Sequence, residues 1–127
     1  MTVLGLGIDL VDVSRVRRLL DRYGDRALAR LLTPGEREYC TTRAVPSVHI
    51  AARLAAKEAA FKALAGESDA RRIWWTELEV RREGDGRPTL HFHGKASARA
   101  ERLGVRSSLL SLTHERDHAA AVVLLIG

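Results

Sequence analysis

The chain has one cysteine in 127 residues, Cys40, so it cannot build an internal disulfide framework. It must rest on a hydrophobic core, and 127 residues suffice for one. A lone thiol fits a reducing compartment, and the expected location is cytoplasmic. Aromatic residues make up only 5%, which weakens any reading in which bases stack on a row of rings. No apolar run approaches the roughly 18 residues of a membrane span. The longest, AAAVVLLI at 119–126, has the length of a buried strand. The opening MTVLGLGIDLVDV lacks a basic stretch and carries Asp9 in its middle, which argues against a secretory signal. There is no internal repeat, low-complexity tract or linker, so residues 1–127 are expected to form a single domain.

Positive charge is what the chain has in excess. Its 21 Lys and Arg against 16 Asp and Glu give a net charge of +5, and the pI is about 10.1. An acidic partner is implied: nucleic acid, a phosphorylated small molecule or an acidic protein. Arg15, Arg18 and Arg22 fall on one face of a helical pattern over 14–23. That row fits a solvated surface, an acidic docking helix or a phosphate backbone.

Periodicity divides the rest. Residues 3–11 alternate as a strand, with Leu4, Leu6, Ile8 and Leu10 on one face and Gly5, Gly7 and Asp9 on the other. The helix over 14–23 has Val16, Leu19, Leu20 and Tyr23 as its apolar stripe and stops at Gly24. A short helical pattern covers 25–32, and Thr33-Pro34-Gly35-Glu36 opens another turn through Tyr39. The longest helix is predicted from Ser47 to Gly66, and its second half, RLAAKEAAFKAL, reads as amphipathic. Ile73–Arg82 and Thr89–His93 read as strands around a Gly-rich turn, Lys95–Leu103 as a helix, and 108–113 and 118–126 as strands. The order β-α-α-α-β-β-α-β-β predicts an α+β domain with a mainly antiparallel sheet.

Asp9 stands out, because aspartate is rare in mid-strand. If buried, it needs a cation, backbone donors or a metal. Gly5 and Gly7 on its face would leave space for a ligand. Glu58 is its natural companion at the margin of the long helix, and two carboxylates suit Mg²⁺ completed by water and phosphate oxygens. Lys62, one turn further, could neutralise a phosphate or simply pair with Glu58 on the surface. Arg53 and Lys57 would add positive charge nearby. Residues 114–118 spell H-E-x-x-H, but a polar turn between strands cannot put both imidazoles on one helical face. His91 and His93 share a strand face and are expected to face solvent.

The segments GIDLVDVSRV at 7–16, LTPGEREYC at 32–40, RLAAKEAAFKAL at 53–64, GRPTLHFHGKA at 86–96 and SLTHERDHAAAVV at 111–123 resemble the holo-acyl-carrier-protein synthases, the small 4′-phosphopantetheinyl transferases. The resemblance implies transfer of the 4′-phosphopantetheine arm of coenzyme A to a serine of an apo acyl carrier protein. The serine hydroxyl attacks the β-phosphorus and 3′,5′-ADP leaves. It implies Asp9 and Glu58 as Mg²⁺ ligands and Lys62 as the pyrophosphate contact. It also implies Arg53, Gly86, Arg87, Pro88 and His114 in the coenzyme A pocket, and Arg15, Arg18 and Arg22 as the docking face for the acidic carrier. A trimer with active sites between protomers is implied too. The base that takes the serine proton stays open between Glu58, through a metal-bound water, and Lys62. Trp74-Trp75 doubles a position that is commonly one tryptophan, and His118 stands where an aromatic residue is common. A basic nucleic-acid-binding module and a carrier-binding protein without catalysis are the alternatives.

Overall fold

The computed structural model describes residues 1–64 and 72–127; Gly66, expected to close the long helix, lies outside them. Strand β1, Val3–Asp12, feeds four helices: α1 Val13–Tyr23, α2 Asp25–Leu31, α3 Pro34–Thr41 and α4 Pro46–Leu64. The hairpin β2 Leu78–Arg82 and β3 Pro88–Phe92 follows, then α5 Gly94–Leu103, β4 Ser107–His114 and β5 His118–Ile126. Among the described residues, four α-helices, not three, precede β2. The main sheet runs β1-β5-β4, antiparallel throughout, and packs on α4; β2 and β3 form a separate ribbon. The fold is therefore α+β, with an antiparallel sheet on a long central helix.

Strand β1 faces the opposite way from what leucine-rich strands usually do. Leu6, Ile8 and Leu10 point outward and are 64%, 63% and 66% exposed, while Gly7 and Val11 are buried. The reason is the approach of α4. A Cβ on Gly5 would overlap the carbonyl oxygen of Ala63, and one on Gly7 that of Ala59. The space beside Asp9 that the glycines leave is filled by helix backbone and is no ligand pocket. Small residues on the helix side, among them Ala55, Ala56, Ala59, Ala60 and Ala63, let the two backbones meet.

Helix α4 is not amphipathic. Fourteen of its residues are buried, and only a few, Glu58, Phe61 and Lys62 among them, reach an edge. A helix covered on nearly all sides needs little polar face. Lys57 is buried with it. Its Nζ donates to Glu36 Oε1 at 2.7 Å and to the carbonyls of Trp75 and Leu78 at 2.8 and 2.6 Å. Glu36 also accepts from the backbone N–H of Thr33 and of Val80, so the buried pair is well satisfied. Removing one partner would strand the other, at a cost of about 3–5 kcal/mol, so Lys57 is not a spare cation for a substrate. The same contact explains why Ile73–Glu77 is not a strand. The Trp75 carbonyl turns toward Lys57, Trp74 donates its indole N–H to Arg30 O, and Trp75–Glu77 forms a 3-10 turn. The thiol of Cys40 is buried, which pushes its pKa up to about 11 and leaves it inert.

Gly7→Ala is expected to cost about 1–3 kcal/mol or more, since a helix backbone cannot yield as a side chain can. Leu6→Ala, on the outward face, should leave the unfolding midpoint of the isolated chain almost unchanged. Urea unfolding of the two variants checks this, and equal losses would refute the inverted packing.

Candidate active site

The register of β1 against α4 brings Asp9, Glu58 and Lys62 together at the edge of the helix. Lys62 Nζ donates to Asp9 Oδ1 at 2.9 Å and to Ile8 O at 3.0 Å, which leaves its third N–H toward solvent. Lys62 thus pairs with Asp9 and not with Glu58, contrary to the i,i+4 reading. Glu58 instead meets Arg15 of α1, Nη2 to Oε1 at 3.6 Å. The Asp9 and Glu58 carboxyls are near enough to influence each other, and their titrations separate. Burial, then the neighbouring Asp9 carboxyl, push Glu58 up to about 7, against the pull of Arg15 and Lys62. Burial would raise Asp9 too, but the neighbouring Glu58 carboxyl, the hydrogen bond of Lys62 and the charge of Lys62 and Arg15 hold it below the usual range.

Asp9 Oδ2 is buried and has no hydrogen-bond donor of its own. A hard divalent cation between Asp9 and Glu58 would satisfy it, and an all-oxygen pair suits Mg²⁺. No third His, Cys, Asp or Glu completes a protein cluster among the described residues, so the remaining ligands of such an ion would be water and substrate oxygens.

A second group lies on another face of α4. Arg53 and Arg43 place their guanidinium carbons 4.1 and 3.9 Å from the centre of the Tyr39 ring, and Arg82 is 5.8 Å away. Arg53 is 1% exposed, its Nε has no partner, and only one contact, to His49 O at 3.4 Å, holds its fork. Among the described residues, none of these three arginines has a carboxylate partner. The His49 ring stands edge-on to Tyr39 and to His114, at 5.9 and 5.4 Å. Burial, then His114 and the neighbouring arginines, lower the His49 pKa, so its imidazole is neutral at pH 7. Three guanidinium groups around one ring, with no carboxylate against them among the described residues, make this a place of concentrated positive charge.

Of the residues first singled out, Asp9, Glu58 and Lys62 are brought together, and so are Arg53 and His114. The two sets are not joined within one chain. Arg53 and Lys62 are nine residues apart, about 180° around the helix axis, and so are His49 and Glu58. Gly86 reaches the second set through Arg82, whose Nη1 donates to Gly86 O at 2.7 Å. Gly86 itself has φ +82°, the conformation that needs glycine. Arg87 is exposed and tied to Asp85 at 3.0 Å, and Pro88 begins β3. Arg18 and Arg22 are exposed on α1, while Arg15 on the same helix reaches the carboxylates. Tyr23 is not part of a buried stripe; it is 41% exposed with Arg22 and Arg26 beside its ring. His114 and His118 close one hairpin, and His118 pairs with Glu115 at 2.9 Å, as the rejection of a zinc helix requires. His93 is not idle on the surface; it bonds Glu79 at 2.9 Å. Tyr39, Arg43, His49 and Arg82 were missed. No local signal in the sequence marks them: Arg82 stands directly before Glu83, and Arg43 and Arg53 each lie five residues from a glutamate.

The family model of the 4′-phosphopantetheinyl transferase superfamily matches residues 5–123. The holo-[acyl-carrier-protein] synthase of Solidesulfovibrio magneticus is 48% identical over 125 residues, covering 98% of this chain and 99% of the relative. The crystal structure of the Neisseria meningitidis synthase superposes with a TM-score of 0.86 at 26% identity, over 99% of this chain and 100% of that one. The Helicobacter pylori synthase, solved in complex with coenzyme A, gives 0.81 at 25% identity, over 95% and 99%.

Without added metal, the raised Glu58 pKa carries a sign. The fold favours the protonated carboxyl, so this stabilising contribution is complete below about pH 4.5 and lost as pH rises through about 7. Glu58→Gln keeps a neutral side chain at every pH. It should therefore melt increasingly above the wild type between pH 5 and 8, with no such gain near pH 4. A pH-independent difference would refute the shift.

Proposed function

The chain belongs to the 4′-phosphopantetheinyl transferase superfamily, and from that membership we propose how its residues divide the work of the reaction. It is a holo-[acyl-carrier-protein] synthase, an enzyme that transfers the 4′-phosphopantetheine arm of coenzyme A to an apo acyl carrier protein. Asp9 and Glu58 hold Mg²⁺, and the observation that carries this is the buried, donorless Oδ2 of Asp9 beside a second carboxylate. When bound, the cation would neutralise pyrophosphate oxygens and the charge that collects on departing 3′,5′-ADP. Lys62, with its free N–H, contacts the same pyrophosphate. Arg53, Arg43, Arg82 and neutral His49 receive the far phosphate of coenzyme A, with His114 and the Gly86–Pro88 turn closing the pocket. These fixed cations cost no reorganisation when charge moves in the transition state. Arg15, Arg18 and Arg22 dock the acidic helix of the carrier.

One protomer cannot present both sets to one coenzyme, because they point from opposite faces of α4. We therefore infer that the chain works as a homotrimer, each site completed by a neighbour. The outward face of the main sheet supports it. Leu109 is 58% exposed beside Leu6, Ile8, Leu10 and the exposed Val122, an apolar patch that invites cover. No helix among the described residues is long and apolar enough to cross a membrane. A single buried thiol supports a cytoplasmic location, and residues 1–127 act as one domain. The nucleic-acid reading would rest on Tyr23, Trp74 and Trp75 beside Arg15, Arg26 and Arg30, a short cluster and not an extended row of rings.

Incubated with apo carrier protein, coenzyme A and Mg²⁺, the protein should add one phosphopantetheine arm, read as a mass gain. Asp9→Asn and Glu58→Gln should each lower kcat at least about a hundredfold with melting retained. Near-normal turnover in either removes that residue from the metal site. Ile8→Arg should yield folded monomers by light scattering and lose transfer. A variant that stays trimeric would move the interface to another face.

A further inference from the structure

Arg15 is the one docking arginine that also touches the carboxylate pair. Its guanidinium is 3.6 Å from Glu58 and its side chain 49% exposed. Arg18 turns instead to Ser14 Oγ at 3.3 Å, and Arg22 lies against the Tyr23 ring at 5.3 Å. Arg15 also lines a cleft of about 810 Å³ between α1, α2 and the 3-10 turn, whose rim carries Arg26 and Arg30 and whose floor carries Leu19, Leu31 and Trp74. It therefore stands on the boundary between the surface that meets the carrier and the carboxylates that would meet the metal.

We propose that Arg15 is a positioning residue shared between Glu58 and the carrier protein. A divalent cation that takes the carboxylate pair releases the guanidinium to the carrier's acidic helix, so cation and carrier bind with positive coupling. The inference rests on reading Asp9 and Glu58 as the metal pair and α1 as the docking face. Its physical basis is competition for one carboxylate. While Glu58 is uncovered, Arg15 is drawn to it, and docking the carrier must break that contact. Once a dication sits there, the attraction is offset and two like charges stand side by side, which turns Arg15 outward. A long, half-exposed ion pair is weak enough to be exchanged. Lys62 cannot play this part, because Asp9 and the carbonyl of Ile8 both hold it.

The test measures binding, not turnover. Mn²⁺ affinity is followed by electron paramagnetic resonance with and without apo carrier protein, and carrier affinity by fluorescence anisotropy with and without Mn²⁺. In the wild type each ligand should tighten the other by the same factor, about two- to fivefold, the range of an exposed ion pair. Arg15→Gln should bind Mn²⁺ tighter than the wild type by a similar factor and show no coupling. Arg18→Gln should bind carrier more weakly and keep the coupling. Wild-type protein that binds Mn²⁺ and carrier independently, or Arg15→Gln that keeps the coupling, overturns the role of Arg15 and leaves the metal pair standing. Wild-type protein that holds no more Mn²⁺ than Asp9→Asn overturns the metal pair and this inference with it.

Discussion

The backbone contact between β1 and α4 is the constraint from which the site follows. Gly5 and Gly7 let the carbonyls of Ala59 and Ala63 come where side chains would otherwise stand. With the helix that close, Asp9, two residues beyond Gly7, falls beside Glu58 and Lys62 rather than a layer away. The alanines of α4 serve the same end from the other side. A wider gap would gain apolar burial for larger side chains and lose the carboxylate pair. Packing and chemistry are therefore set by one distance.

The buried Lys57–Glu36 pair fixes the other side of the helix. Its ammonium binds acceptors from α3, the 3-10 turn and the start of β2. Glu36 adds the capping box of α3 and the N–H of Val80. Such a pair gives little net stability compared with an apolar substitute, but it admits only one arrangement of the segments around it. It orders the chain that carries Tyr39 and the chain that carries Trp74 and Trp75. Neighbours in sequence, Lys57 and Glu58 thus divide into a structural and a chemical role.

Much of this was legible in the sequence, and the misses have common causes. Helix and strand positions follow from periodicity and caps, and Asp9, Glu58 and Lys62 were identifiable because carboxylates and a lysine sat among apolar neighbours. Alternation in β1 showed that its two faces differ, but not which one turns inward. Leucine normally decides that, and here a helix that tolerates no Cβ decides it instead. The role of Lys57 was hidden because its acceptors come from segments about 20 residues away on either side. The Arg15–Glu58 contact was hidden likewise, since helix periodicity relates residues within one helix and says nothing of how two helices cross. The Tyr39 cluster draws on α3, α4, β2 and the end of β4, so no local pattern could announce it.

The two faces of α4 also explain an apparent inconsistency in the charge. A chain at net +5 buries or neutralises some of its cations, Lys57 on Glu36, Lys62 on Asp9 and Arg37 on Asp25. Among the described residues it gathers others without a carboxylate partner on the α1 surface and around the Tyr39 ring. Bare cations packed together repel, and a fold keeps them only where an anion relieves the cost. A protein partner with an acidic helix can relieve the first, and a small phosphorylated molecule the second. The carboxylate pair lies beside the first, at Arg15, and is the place where a cation is missing rather than in excess. The distribution of charge thus suits the proposed division of work, in which an acidic protein, a polyphosphate and a divalent cation would each relieve one imbalance.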